Sequence, residues 1–150
     1  MDYDFAIVSF AAGVEIILGP NVQVIQLTSG EDPAVDSSVI VSGWGLMNSN
    51  DPSFPSTLRE VSLPVWSDSK CHERYTSLNL TTKMCMGGTS AGDTSPCRGD
   101  EGSPAVQGSG SSLRQYALVS ILYTCHVPNY PGVFSRISSV RPWITEMTGV

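Results

Sequence analysis

Charge is scarce in this chain of 150 residues: Asp, Glu, Lys and Arg make up 15% of it, against about 25% in an ordinary soluble domain. Basic residues are the scarcest, with eight Lys and Arg against fourteen Asp and Glu and a net charge of −6. So little positive charge argues against nucleic acid and against anionic membrane surfaces as partners, because both reward basic faces. Long apolar runs are missing too. The longest surrounds residues 14–18 and is interrupted by Glu15 and Pro20, far short of the roughly 18–20 residues a membrane span needs. No C-x-x-C pair occurs, and His72 and His126 each directly follow a cysteine. That is not the spacing of a metal site, so none is expected. Residues 1–4, Met-Asp-Tyr-Asp, carry neither the basic nor the apolar region of a secretory signal.

What is present suits a folded domain. Hydrophobic residues are 41% of the chain, enough for a sizeable core and too many for general disorder. Four cysteines, Cys71, Cys85, Cys97 and Cys125, stand at wide spacings and read as disulfides, hence as a protein of an oxidising compartment. A disulfide protein without a leader reads as part of something longer. Fourteen glycines and ten prolines separate short apolar stretches. Val, Ile, Phe and Tyr content predicts strands over 5–11, 22–27, 38–43, 58–66, 83–86, 104–107, 116–123 and 132–137. Strands so short and numerous argue for an all-β antiparallel barrel or sandwich. Two exceptions are helical: 67–75, which opens on cap-type residues, and 138–148, where Val140, Trp143, Ile144 and Met147 form a one-sided apolar stripe.

Chemistry concentrates after Cys97. The segment Gly99-Asp100-Glu101-Gly102-Ser103-Pro104 resembles the nucleophile loop of the chymotrypsin-like (trypsin-like) serine proteases, written Gly-Asp-Ser-Gly-Gly-Pro in that family. Asp4-Phe5-Ala6-Ile7-Val8 is similar to the segment that holds the triad aspartate, and Val41-Ser42-Gly43-Trp44-Gly45 to the start of the second barrel. Leu118-Val119-Ser120, Pro131-Gly132-Val133-Phe134-Ser135-Arg136 and Pro142-Trp143-Ile144 match the last strands and closing helix. Several motifs in the family's order imply an all-β trypsin-like fold. Residues 1–30 would end the first barrel, 31–137 form the second and 138–150 the C-terminal helix. The family architecture sets the active site between two barrels, so the N-terminal barrel half is expected as a missing partner. Residues 5–27 would then lack most of their sheet neighbours.

The resemblance also assigns roles. It implies disulfides Cys71–Cys85 and Cys97–Cys125, and a third family bridge whose positions are held here by Val39 and Gln107. Asp4 falls at the triad aspartate, and the backbone N–H groups of Gly99 and Glu101 at the oxyanion hole. Asp100 falls at the carboxylate that pairs with the amino terminus freed by activation cleavage. Without that terminus it is expected to be buried unpaired, in a mobile or zymogen-like loop. Ser95, Ser120 and Leu122 fall on the primary specificity pocket, Leu122 narrowing it and Ser95 giving no preference for Lys or Arg. The triad histidine is absent, because it precedes the aspartate in the family; His72 and His126 match surface and pocket-rim positions. The nucleophile position is Glu101, and a carboxylate there cannot form an acyl-enzyme and would repel a developing oxyanion. Ser103, two residues on, could take over only if the turn were rebuilt.

These residues read as an inactive homologue that binds a protein or peptide ligand outside the cell and needs no cofactor. The alternative is an incomplete sequence of a secreted serine endopeptidase. Three further motifs were weighed. Gly88-Thr89-Ser90-Ala91-Gly92 has the G-x-S-x-G form but is followed by loop chemistry instead of a helix. Arg98-Gly99-Asp100 spells RGD inside a committed loop. Asn79-Leu80-Thr81 is a glycosylation sequon in a polar loop.

Overall fold

The structure, a computed structural model, describes residues 2–91, 95–122 and 125–150. Among these described residues are seven strands: β1 (Gln26–Leu27), β2 (Ser38–Gly43), β3 (Arg59–Pro64), β4 (Lys83–Met86), β5 (Pro104–Gln107), β6 (Arg114–Ile121) and β7 (Gly132–Arg136). Six follow one antiparallel path, β3-β2-β5-β6-β7-β4. Its two ends meet: Val65 bridges Met86, Trp66 N–H donates to the Cys85 carbonyl at 3.0 Å and Gly87 N–H to that of Pro64 at 2.9 Å. The sheet thus curls back on itself, which protects edges that would otherwise be open.

Alternation sets the core. Along β2 the pattern exposed-buried-exposed-buried turns Val39 and Val41 inward, where they meet Leu63, Met84, Met86, Ala105, Ala117, Val119 and Phe134. A smaller cluster gathers Trp66, Cys71, Cys85 and Val133 under helix α1 (Asp68–Arg74). That helix starts because the Ser67 hydroxyl accepts the Lys70 N–H at 3.2 Å, and the Cys71–Cys85 disulfide fastens it to β4. Where the family has its third bridge, Val39 fills the core. Gln107 donates to the Ser38 carbonyl at 2.8 Å instead.

Boundaries moved at several points. The predicted strand 5–11 is not a strand, and 22–27 shrinks to β1, which pairs in parallel with β6. The reason is geometric: outside β1 these residues have strand-like composition but join no strand, and Val8 (84%) and Val24 (75%) lie in the open. The strand expected over 116–123 runs 114–121, and Tyr123 lies outside the described residues, as does Gly92 of the G-x-S-x-G match. The last apolar stripe begins as a 3₁₀ turn (Ile137–Val140) and becomes α2 (Arg141–Thr148) where Pro142 favours a helix start. Gly149, at φ 76°, ends it. Neither helix is long and apolar enough to cross a membrane.

Candidate functional site

The loop after Cys97 is held from both sides. Gly102 N–H donates to the Val119 carbonyl at 2.8 Å, Val119 N–H to that of Ser103 at 2.9 Å, and Ser103 N–H to that of Asp100 at 2.9 Å. The Cys97–Cys125 disulfide ties its start to the opposite wall. Gly99, at φ 97°, takes a left-handed turn that most side chains resist.

Asp100 corrects an expectation. Its carboxylate is not without a partner: Oδ1 accepts the Gly45 N–H at 2.7 Å and Oδ2 the Cys97 N–H at 2.9 Å. Two backbone donors suit an ionised carboxylate better than an empty cavity would. They can reach it because residues 43 and 45 are glycines, and a Cβ at either would overlap the Asp100 carboxylate. The Gly43-Trp44-Gly45 motif therefore acts here as the socket of Asp100. Gly45→Ala is expected to expel the carboxylate and cost about 1–3 kcal/mol, the usual range for overpacking. A denaturant melt checks this, with Gly19→Ala, whose Cβ meets nothing within 4 Å, as the neutral control.

Beside it, the exposed Glu101 bends back on its own loop. Its Oε2 accepts the Gly99 N–H at 2.7 Å. One of the two N–H groups that the resemblance assigns to an oxyanion is thus already donating to a carboxylate. RGD recognition finds no support either, because the Asp100 end of that motif is the half-buried, doubly bonded carboxylate just described.

On the pocket side, the Ser95 hydroxyl accepts the His126 N–H at 2.8 Å. Both residues line a cleft of about 180 Å³ together with Gly43, Gly45, Leu46 and Asp100. Leu122 packs against the core. A Cβ on Gly132 would stand 3.3 Å from Leu122 Cδ2 and 3.4 Å from Pro96 Cγ, so Leu122 and Pro96 lie against Gly132. His72 is exposed on α1 and far in sequence from this loop.

Asp4 meets β6 at this same end, one residue beyond Val119. Its Oδ2 accepts the Ser120 hydroxyl at 2.6 Å, so the structure joins two predicted site residues 116 positions apart. A third member was missed by sequence reasoning: Lys83, 1% exposed, donates from Nζ to Ser120 Oγ and to Ser135 Oγ, each at 2.8 Å. A lysine in Thr-Lys-Met-Cys-Met gave one usable signal, a charge inside a stretch otherwise written for the core. Asn79, the sequon residue, is exposed, and its Oδ1 accepts the Thr81 N–H at 3.1 Å.

Comparison with known proteins agrees with this arrangement. The trypsin family model matches residues 1–144. Trypsin 5G1 of Aedes aegypti is 33% identical over 152 aligned positions, covering 99% of this chain and 54% of the relative. The vitellin-degrading protease of Bombyx mori is 32% identical, covering 97% and 53%. Among solved structures, neuropsin, a serine protease expressed in the limbic system of mouse brain, superposes with a TM-score of 0.77 at 29% identity, over 87% of this chain and 56% of that one. The chain thus spans about half the length of the curated relatives it matches. A family model that matches nearly end to end, on a barrel that carries the family's loop, disulfides and closing helix in order, makes this chain a member of the trypsin family of chymotrypsin-like serine proteases.

Proposed function

We propose that this chain is a serine-protease homologue without acyl-transfer chemistry that works by binding a protein or peptide outside the cell. The observation that carries this reading is the Glu101 carboxylate on the Gly99 N–H at 2.7 Å. Acyl transfer by this family needs a hydroxyl nucleophile and two N–H donors left free for the oxyanion. The likeness of residues 99–104 to the family's nucleophile loop assigns Glu101 the first place, and its carboxylate also engages one of the donors. An anion already seated there opposes a second one developing beside it. The resemblance sets Leu122 on a wall of the primary pocket and implies a narrowed one, so binding would rest on the loops around it. The apolar side chains exposed between Tyr3 and Val24 support a further partner, a preceding barrel half that covers them.

The test is covalent. Incubated with a fluorophosphonate probe, the protein is expected to keep its intact mass while a trypsin control is labelled completely. An adduct on any serine overturns the reading. One mapped to Ser103 would show a nucleophile displaced by two residues, and the secreted endopeptidase reading would replace this one.

A further inference from the structure

We propose that Lys83 is a positioning residue for Asp4: its ammonium, relayed through the Ser120 hydroxyl, is the carboxylate's counter-charge within the chain and fixes residues 2–5 against the barrel. A lysine 1% exposed is rare unless its charge is answered. Its two direct partners, Ser120 on β6 and Ser135 on β7, are neutral hydroxyls. Charge enters one bond further on. Ser120 Oγ accepts from Lys83 and gives its own proton to Asp4 Oδ2 at 2.6 Å, so ammonium, hydroxyl and carboxylate are polarised in one direction.

The surroundings leave Asp4 as the main counter-charge. Burial pushes the Lys83 pKa down, while Asp4 first and Asp2 second pull it back up. Tyr75 faces it across a cleft of about 170 Å³ shared with Asp2, Ile121 and Val133. Arg136 touches only the Lys83 carbonyl and is itself answered by Asp32 and Asp68. Residues 2–5 belong to no strand, so the tie to Ser120 is what seats them, with Tyr3 and Phe5 beside Pro142 and Trp143. A carboxylate in this arrangement already shares its charge with an ammonium, which weakens its hold on any imidazolium.

The inference stands on Lys83 and is independent of Glu101, so its failure would leave the labelling result untouched. The full chain has two lysines, Lys70 and Lys83, which makes the test clean. Lysine-¹³Cε NMR gives the Lys83 titration midpoint, with Lys70 on the surface near Trp66 as internal reference. Asp4→Asn is expected to lower the Lys83 midpoint by roughly one pH unit, because an opposite charge that favoured the ammonium is gone. In a Ser120→Ala background the same substitution is expected to lower it by less than half as much. An Asp4→Asn midpoint that does not move overturns the proposal. An equal shift with and without Ser120 overturns the relay. Asp4 is only half-buried on a segment outside the barrel, so Asp4→Asn leaves the fold available for the measurement.

Discussion

Phe134→Ala is expected to destabilise the chain by about 3–5 kcal/mol, the largest effect of any single substitution considered. Phe134 is fully buried in the middle of β7, opposite Met84 on β4 and Val119 on β6. Truncating it removes apolar contact on both sides and leaves a cavity that a closed barrel cannot collapse, because hydrogen-bonded neighbours fix each strand. A domain stable by roughly 5–15 kcal/mol would lose about a fifth of its margin or more. Urea or thermal melts check this. Val8→Ala, at a residue 84% exposed, is expected to stay within about 0.5 kcal/mol. If the two variants melt alike, the core is not where the structure puts it.

Removing the Cys97–Cys125 bridge as the double alanine variant is the second large effect. The bridge closes a span of 28 residues, for which chain entropy gives about 3–4 kcal/mol. Cys71–Cys85 closes 14 and is expected to cost slightly less, about 3 kcal/mol in the same treatment. Loop length separates the two only weakly, but location separates them well. Cys97 donates its N–H to Asp100 and the far end neighbours the Ser95–His126 contact. Loss of this bridge should therefore speed amide exchange at residues 97–103. Loss of the other should act around α1 and β4. Exchange that rises equally in both variants would contradict the loop's dependence on its own disulfide.

Much of this was legible in the sequence because it depends on local pattern. Val and Ile content pointed to β2, the cap-type residues at 67 to α1, and the motif order implied both cysteine pairs that the structure forms. Residues 5–11 misled because composition reports what a segment could pair with, and pairing needs a neighbouring edge that these residues do not face. The partners of Asp100 were hidden for a different reason. They are backbone N–H groups, one of them 55 positions away, exposed by two glycines whose role looks like that of any turn. Lys83 was hidden because a lysine in a strand reads as solvent-facing, and only the fold brings Ser120, Ser135 and Asp4 around it.

The central claim is that the Glu101 carboxylate holds the Gly99 N–H that an oxyanion would need. The amide proton of Gly99 reports this directly, because a charge-assisted hydrogen bond moves it downfield. Comparing the chain with Glu101→Ser by ¹H–¹⁵N NMR, the account predicts a large upfield movement of the Gly99 amide, with amides outside residues 97–103 nearly unchanged. A Gly99 amide that keeps its position when the carboxylate is removed would contradict it.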